Sequence, residues 1–321
     1  MTARIFVSRD STARAFGADA TARAIEAEAK RRGLDVTIVR NGSRGMFWLE
    51  PLVEIDAPGG RVGYGPIRPA DVPALFDAGF ERGNVHGLRV GPVEMIPFFE
   101  RQERLTFARV GITDPVSVED YRAHGGYRGL ENALAMSGED IVKAVTDSGL
   151  RGRGGAAFPA GIKWKTVLGT ESSQKYIVCN ADEGDSGTFS DRMLMEGDPL
   201  CLVEGMTIAG LAVGATQGYI YLRSEYPHAH RALNEGSPSR CPRFRPPCSM
   251  PCATSTRCCR PATCALRTSC TLPSAPRPTW ISKRCPRKCT PFSVSPFQPG
   301  GSTGAYFSLK PPSSMRRPVR P

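Results

Sequence analysis

Apolar and polar positions follow a mixed rhythm over the amino-terminal quarter of this chain. Arg4-Ile5-Phe6-Val7-Ser8 is a short apolar run that predicts a strand. Gly17 to Arg32 predicts a helix: Ala20, Ala24, Ala27 and Ala29 favour it, Ile25 faces inward and Gly33 stops it. Asp35-Val36-Thr37-Ile38-Val39 predicts a second strand, parallel to the first across that helix. Met46 to Ile55 and Gly60 to Tyr64 suit the two arms of a hairpin. Pro69 to Ala78 suits a helix with Ala70, Val72, Leu75 and Phe76 apolar.

Residues 84–130 read as a linker and lead-in segment, turn-rich around His86 to Pro92. Pro97 to Arg109 mixes Phe98, Phe99 and Phe107 with Arg101, Arg104 and Arg109, a pattern that suits a docking surface or strand better than a base-stacking patch. Tyr127 to Leu130 opens a helical stretch. Ser137, Glu139 and Asp140 then supply a cap and a favourable acidic first turn for a helix through Val145. Lys175-Tyr176-Ile177-Val178-Cys179 predicts a buried strand. Leu200 to Val213 is almost continuously apolar, as a buried crossover helix requires, and Tyr219 to Arg223 predicts the next strand. The expected fold class is α/β. The β-α-β-β-α order of residues 1–83 is that of a thioredoxin-like domain, and residues 131–235 make the first part of a Rossmann-like domain.

Every rhythm is lost after Glu235. Residues 236–321 hold 17 prolines, nine cysteines, 15 Lys/Arg and no Asp or Glu. The net charge of +11 therefore misleads: residues 1–235 carry 27 Lys/Arg against 31 Asp/Glu, a net of −4. Three readings fit the tail. Cys248-x3-Cys252, Cys258-Cys259, Cys264, Cys270 and Cys285-x3-Cys289 suggest a cysteine framework, but the number is odd and the C-x2-C pairs of metal sites are missing. A basic nucleic-acid tail is the second reading. The third, preferred here, is off-frame translation of a GC-rich gene, and it predicts disorder. The chain shows no signal peptide and no run of about 18 apolar residues, so a cytoplasmic protein without membrane insertion is expected.

The chemistry concentrates between Gly149 and Thr188. Gly149-Leu150-Arg151-Gly152-Arg153-Gly154-Gly155-Ala156-Ala157-Phe158-Pro159-Ala160-Gly161-Ile162-Lys163-Trp164 reads as a loop that offers backbone N–H groups to an anion, helped by Arg153 and Lys163. The buried strand follows, and Asn180-Ala181-Asp182-Glu183-Gly184-Asp185 leaves its carboxyl end, where open α/β sheets bind ligands. A plain surface turn and a solvated acidic turn are the bland alternatives. No Gly-Lys-Ser/Thr and no helix-opening G-x-G-x-x-G is present here, so neither a Walker loop nor a dinucleotide fingerprint is at hand.

Gly152 to Trp164 and Cys179 to Phe189 closely resemble the flavin- and NADH-binding subunit of respiratory NADH:quinone oxidoreductase. The same module serves as the β subunit of NAD-dependent molybdenum formate dehydrogenases and in NAD-reducing hydrogenases. The thioredoxin-like domain fused ahead of it makes the formate dehydrogenase β subunit the nearer likeness. The resemblance implies FMN and NAD(H) as cofactors and the other subunits of such a complex as partners, with no nucleic acid. It implies that Gly152, Arg153, Gly154, Gly155 and Ala156 line the FMN phosphate and ribityl chain. Lys163 would reach the flavin edge, Asn180, Asp182 and Glu183 would hydrogen-bond the flavin, and Phe158 would stack on NADH. Asp185 stands where many relatives have Glu, near the nicotinamide ribose.

The resemblance ends near Asn234, at about half of a full-length family member. The second flavin motif, Tyr-x-Cys-Gly-Glu-Glu-Thr, and the cysteines of the family's four-iron cluster are absent. Residues 1–178 contain no cysteine, so the thioredoxin-like domain can hold no thiolate-bound cluster. Cys179 and Cys201 read as packing residues, and His86, His124, His228 and His230 form no cluster. The expected outcome is a shortened flavin module, inactive as written. The respiratory flavin subunit and an inactive docking fragment are the alternatives.

Overall fold

The computed structural model describes residues 2–153 and 156–236, together with the backbone of residues 292–296. Its first sheet is built around β1 (Ala3–Val7). β1 is flanked by β2 (Val36–Val39), parallel to it, and by β3 (Val53–Ala57), antiparallel. β4 (Gly60–Tyr64) and β5 (Arg89–Pro92) extend the sheet antiparallel, giving the order β2-β1-β3-β4-β5. Strands β1 to β4 have the thioredoxin-like order. β5 lies inside the stretch read as linker.

Strand alternation gives this sheet two buried faces. Ile5, Val7, Val53, Ile55, Val62 and Tyr64 face α2 (Ala18–Arg31) and α3 (Val72–Asp77) in one apolar core. α1 (Ser11–Ala15) precedes α2 and is capped by Asp10, whose carboxylate accepts from the Thr12 N–H at 2.7 Å. The opposite face is charged. Phe6 and Glu54 pair there across β1 and β3, and the Arg61 guanidinium sits 3.4 Å from the Phe6 ring centroid. Arg61 also donates to the carbonyls of Gly111 and Ile112, which brings that segment over the sheet. The expected hairpin arm at Met46–Ile55 is shorter than its apolar pattern suggests. Phe47–Leu49 is a single 3₁₀ turn and the strand starts only at Val53, because Pro51 lacks an N–H for the ladder.

A short helix, α4 (Pro97–Glu100), and α5 (Val118–Ala123) lead to α6 (Arg128–Leu134) and α7 (Gly138–Asp147). The second layered unit then follows: α8 (Ala160–Leu168), β6 (Tyr176–Ala181), α9 (Ser190–Gly197), α10 (Pro199–Val213), β7 (Gln217–Leu222) and α11 (Pro227–Glu235). β6 and β7 are parallel neighbours, as a crossover through a buried helix requires. α10 buries Leu202, Met206, Ala209, Ala212 and Val213 in the core that holds Ile177, Cys179, Ile220 and Leu222. Among the described residues, no helix is long and apolar enough to cross a membrane.

The tail carries one correction. Phe292–Pro296 is a strand, β8, and pairs parallel with β7. Its Phe-Ser-Val-Ser sequence alternates with period two, a strand signal too short to stand out in a proline-rich stretch. The expectation of disorder and the cysteine-framework reading otherwise fall outside the described residues.

The two units meet through polar contacts. Arg9 pairs with Glu235 at 2.5 Å, and Arg192 donates to Thr12 Oγ1 at 2.8 Å. Gly42 lies so close to Gly197 that a Cβ at position 42 would sit 2.7 Å from the Gly197 Cα. The backbones touch there, and only glycine permits it.

Candidate functional site

Ser137 caps α7, accepting from the Asp140 N–H at 3.1 Å. The chain leaves that helix through Gly149 and folds into a pinched loop. At its neck the Ala160 N–H donates to the Leu150 carbonyl and the Gly152 N–H to the Phe158 carbonyl, each at 2.8 Å. Arg151 Nε closes the tip against the Ala157 carbonyl at 2.6 Å. Ala157 is held in the left-handed region, at φ 47°. Arg153, Ala156 and Phe158 are exposed on this loop, and Gly152 is half-buried. Gly154 and Gly155 lie outside the described residues.

α8 starts at the neck. Its N-terminus has Pro159 at the cap position and no capping side chain. The first-turn N–H groups of an α-helix have no intrahelical acceptor, and they carry the positive end of the helix dipole. Lys163, one turn in, holds its ammonium 5.5 Å from the Phe158 ring centroid. The position of this helix end depends on Gly161. A Cβ there would meet Thr146 Oγ1 at 2.2 Å and Thr146 Cα at 2.7 Å, so α7 and α8 cross in backbone contact.

β6 delivers the acidic segment. Asn180 is exposed and its Oδ1 accepts from the Asp182 N–H at 3.2 Å. Asp182 is half-buried and Asp185 exposed. Glu183 takes left-handed backbone, at φ 46°. Its carboxylate accepts from the N–H groups of Asp191 at 2.7 Å and Arg192 at 3.0 Å, from Ser190 Oγ at 3.3 Å and from the Tyr226 hydroxyl at 3.2 Å. Arg223 donates to its carbonyl at 2.9 Å. Glu183 thus caps α9 and ties α9 to α11. Sequence reading missed Ser190, Arg223 and Tyr226 as members of this site. A capping acid usually lies within three or four residues of its helix, and this one lies seven residues before Ser190.

Residues 145–239, which span this loop, strand and acidic segment, match the family model described as the Nuo51 FMN-binding domain. The NADP-reducing hydrogenase subunit HndC of Solidesulfovibrio fructosivorans is 51% identical over 136 residues, covering 42% of this chain and 28% of HndC. A subunit of the NADH-quinone oxidoreductase of Aquifex aeolicus is 48% identical over 119 residues, covering 37% of this chain and 28% of the relative. The chain thus spans less than a third of the length of these relatives. Among solved structures, the NAD+-reducing [NiFe]-hydrogenase in the H2-reduced state aligns at 26% identity and a TM-score of 0.35, covering 73% of this chain and 39% of that one.

Within the matched segment the two cysteines are packing residues. Burial pushes the thiols of Cys179 and Cys201 up to about 12, which keeps them protonated and poorly nucleophilic. His228 Nδ1 lies 3.2 Å from the Arg14 guanidinium. Among the described residues, no group of three or more His, Cys, Asp or Glu is placed to hold a metal.

Proposed function

We propose that this chain is the FMN- and NAD(H)-binding module of a multisubunit oxidoreductase. The observation that supports it most is the uncapped α8 N-terminus placed behind the pinched glycine loop, in a segment matching an FMN-binding domain. The donor set suits FMN: first-turn N–H groups of α8 beyond Ala160, with Arg153, for a phosphate, Lys163 for the flavin edge, and the Asn180 amide and Asp182 for ring or ribityl hydrogen bonds. Lys175 Nζ donates to the Leu168 carbonyl at 2.9 Å, tying the carboxyl end of α8 to the start of β6. In this reading the reversal brings the loop at the other end of α8 to the end of β6 that carries Asn180 and Asp182.

In this reading Gly152, Arg153, Gly154, Gly155 and Ala156 bind the phosphate and ribityl chain. Phe158 offers an exposed face for the nicotinamide-bearing nucleotide, and Asp185 reaches its ribose. Glu183 contributes by fixing the turn, since its carboxylate is already engaged. When bound, FMN supplies the two-electron to one-electron conversion between NAD(H) and iron–sulfur clusters. The finer assignment is the formate dehydrogenase β-subunit type, in the cytoplasm, with the other subunits of that complex as partners. A thioredoxin-like sheet without cysteines ahead of the flavin segment supports it. The respiratory flavin subunit is the second reading, favoured by the NADH-quinone oxidoreductase relative from Aquifex aeolicus.

Purified full chain is expected to carry FMN, read as flavin fluorescence after denaturation, and Lys163→Ala to lower the FMN-bound fraction several-fold. Folded protein that binds no added FMN would overturn this reading and leave a docking fragment. Gly161→Ala is expected to push α8 off α7, cost roughly 1–3 kcal/mol by overpacking and weaken FMN binding in titration. For the tail we infer off-frame translation. Reading the gene beyond codon 235 in all three frames should recover Tyr-x-Cys-Gly-Glu-Glu-Thr and a Cys-x2-Cys-x2-Cys run; three frames without either remove the inference.

A further inference from the structure

The contact between the two units hides an acid pair that the proposed flavin chemistry does not use. Asp10, at the end of the β1–α1 loop, is 1% exposed, and Glu196, in the last turn of α9, is 2% exposed. The Ser11 N–H and the Ser11 hydroxyl both donate to Glu196, each at 2.6 Å. Asp10 Oδ1 is occupied by the Thr12 N–H, whereas the buried Asp10 Oδ2 has no donor. Ser11 follows Asp10 in the chain, so its two bonds seat the Glu196 carboxyl beside Asp10. Two carboxylates cannot share such a place unless one is neutral.

We propose that Glu196 holds a proton and donates it to Asp10 Oδ2, and that loss of this proton loosens the contact between the thioredoxin-like unit and the α9–α11 face. Most of the surrounding charges are already engaged. On the amino-terminal side, Arg9 is taken by Glu235, and Arg40 by Asp19. Arg14 lies between Asp19, at 3.7 Å, and His228. From α9, Arg192 is directed to Thr12. From α11, Arg231 lines the small cavity with Arg9, Arg14, Glu196 and His228. Glu50, bonded to Ser43 and the Leu52 N–H, is a further buried acid, itself pushed up to about 7 by burial.

Burial, and then the charge of Asp10, push Glu196 up to about 7, against the opposing pull of the Ser11 donors. A carboxyl group raised in the folded state contributes its stability below its ordinary value, and that contribution is lost as pH rises through the raised value. The contact is therefore strongest near pH 5 and weakest above about pH 7. Each pH unit in between is worth at most about tenfold in the opening equilibrium.

The test is amide-resolved hydrogen exchange on the full chain, reading the protection factor of the Ser11 N–H from pH 5 to pH 8. In the wild type, protection is expected to fall by roughly tenfold to a hundredfold. In Glu196→Gln the neutral amide donates to Asp10 at every pH, and the fall is expected to vanish. Should that variant not fold, Asp10→Asn removes the need for the proton from the other side and is expected to flatten the profile equally. Flat protection in the wild type overturns the proposal. So does a fall that persists in the folded variants, which would assign it to another group such as Glu50.

Discussion

Arg44→Ala should destabilise the protein by about 3–5 kcal/mol, the cost of breaking a buried ion pair from one side. Arg44 and Glu54 have side chains 2% exposed each and meet through two bonds, at 2.9 Å from Nε and 2.8 Å from the terminal nitrogen. Arg44 also reaches Glu94 at 2.9 Å, and its guanidinium lies 5.5 Å from the Phe99 ring centroid. Burial alone would lower its pKa, but Glu54 and Glu94 outweigh it and hold Arg44 above its ordinary value. Removing Arg44 leaves the buried Glu54 carboxylate with only the long contact to Arg61, at 3.5 Å. Replacing both partners with apolar residues, as in the Arg44→Met/Glu54→Leu pair, should cost far less, because no charge is left behind. Urea denaturation of the three proteins measures this. Equal losses for the single and double variants would show that the site matters for shape and not for charge.

Glu204→Ala should cost a similar amount, roughly 3–5 kcal/mol, from two orphaned backbone donors and the cavity. Glu204 stands on α10 and accepts from the Tyr127 N–H and the Leu130 N–H, each at 2.9 Å, and from the Tyr121 hydroxyl. It thereby satisfies the amino end of α6, whose cap residue Tyr127 takes φ 64° and offers no capping side-chain bond. Burial, with the negative groups around it, holds the Tyr121 hydroxyl well above the ordinary phenol range, so it stays a donor at any working pH. Glu204→Gln keeps an acceptor oxygen and should cost clearly less. The check is the difference in thermal midpoint between the two variants. A Gln variant as unstable as the Ala variant would mean that the negative charge, and not hydrogen-bond acceptance, holds α6.

Several elements escaped sequence reading for one shared reason. α1, α5 and α9 are short, with five, six and eight residues, too few to show a helical period. Their starts are marked by caps, and only those of α1 and α5 are local: Asp10 and Ser117. The start of α9 is satisfied from Glu183, in a loop that only the fold brings round. β5 has four residues in a turn-rich context, and pairing with β4 makes it a strand.

What the sequence by itself determined is the part written in local chemistry. The apolar run Ile5-Phe6-Val7, alanine content from Ala18 to Ala29 and the apolar run of α10 specified the two α/β units, because strand and helix signals need only near neighbours. The glycine loop and the acidic strand end likewise raise the expectation of an anion and a polar ring, since glycine and carboxylate chemistry is legible residue by residue. Tertiary structure alone decided how carboxylates are spent. Glu183, Glu196 and Glu204 look alike as letters, yet one caps α9, one meets Asp10 across a buried contact and one holds α6. A carboxylate's role follows from the donors that surround it once water is excluded, and those donors come from positions far apart in the chain.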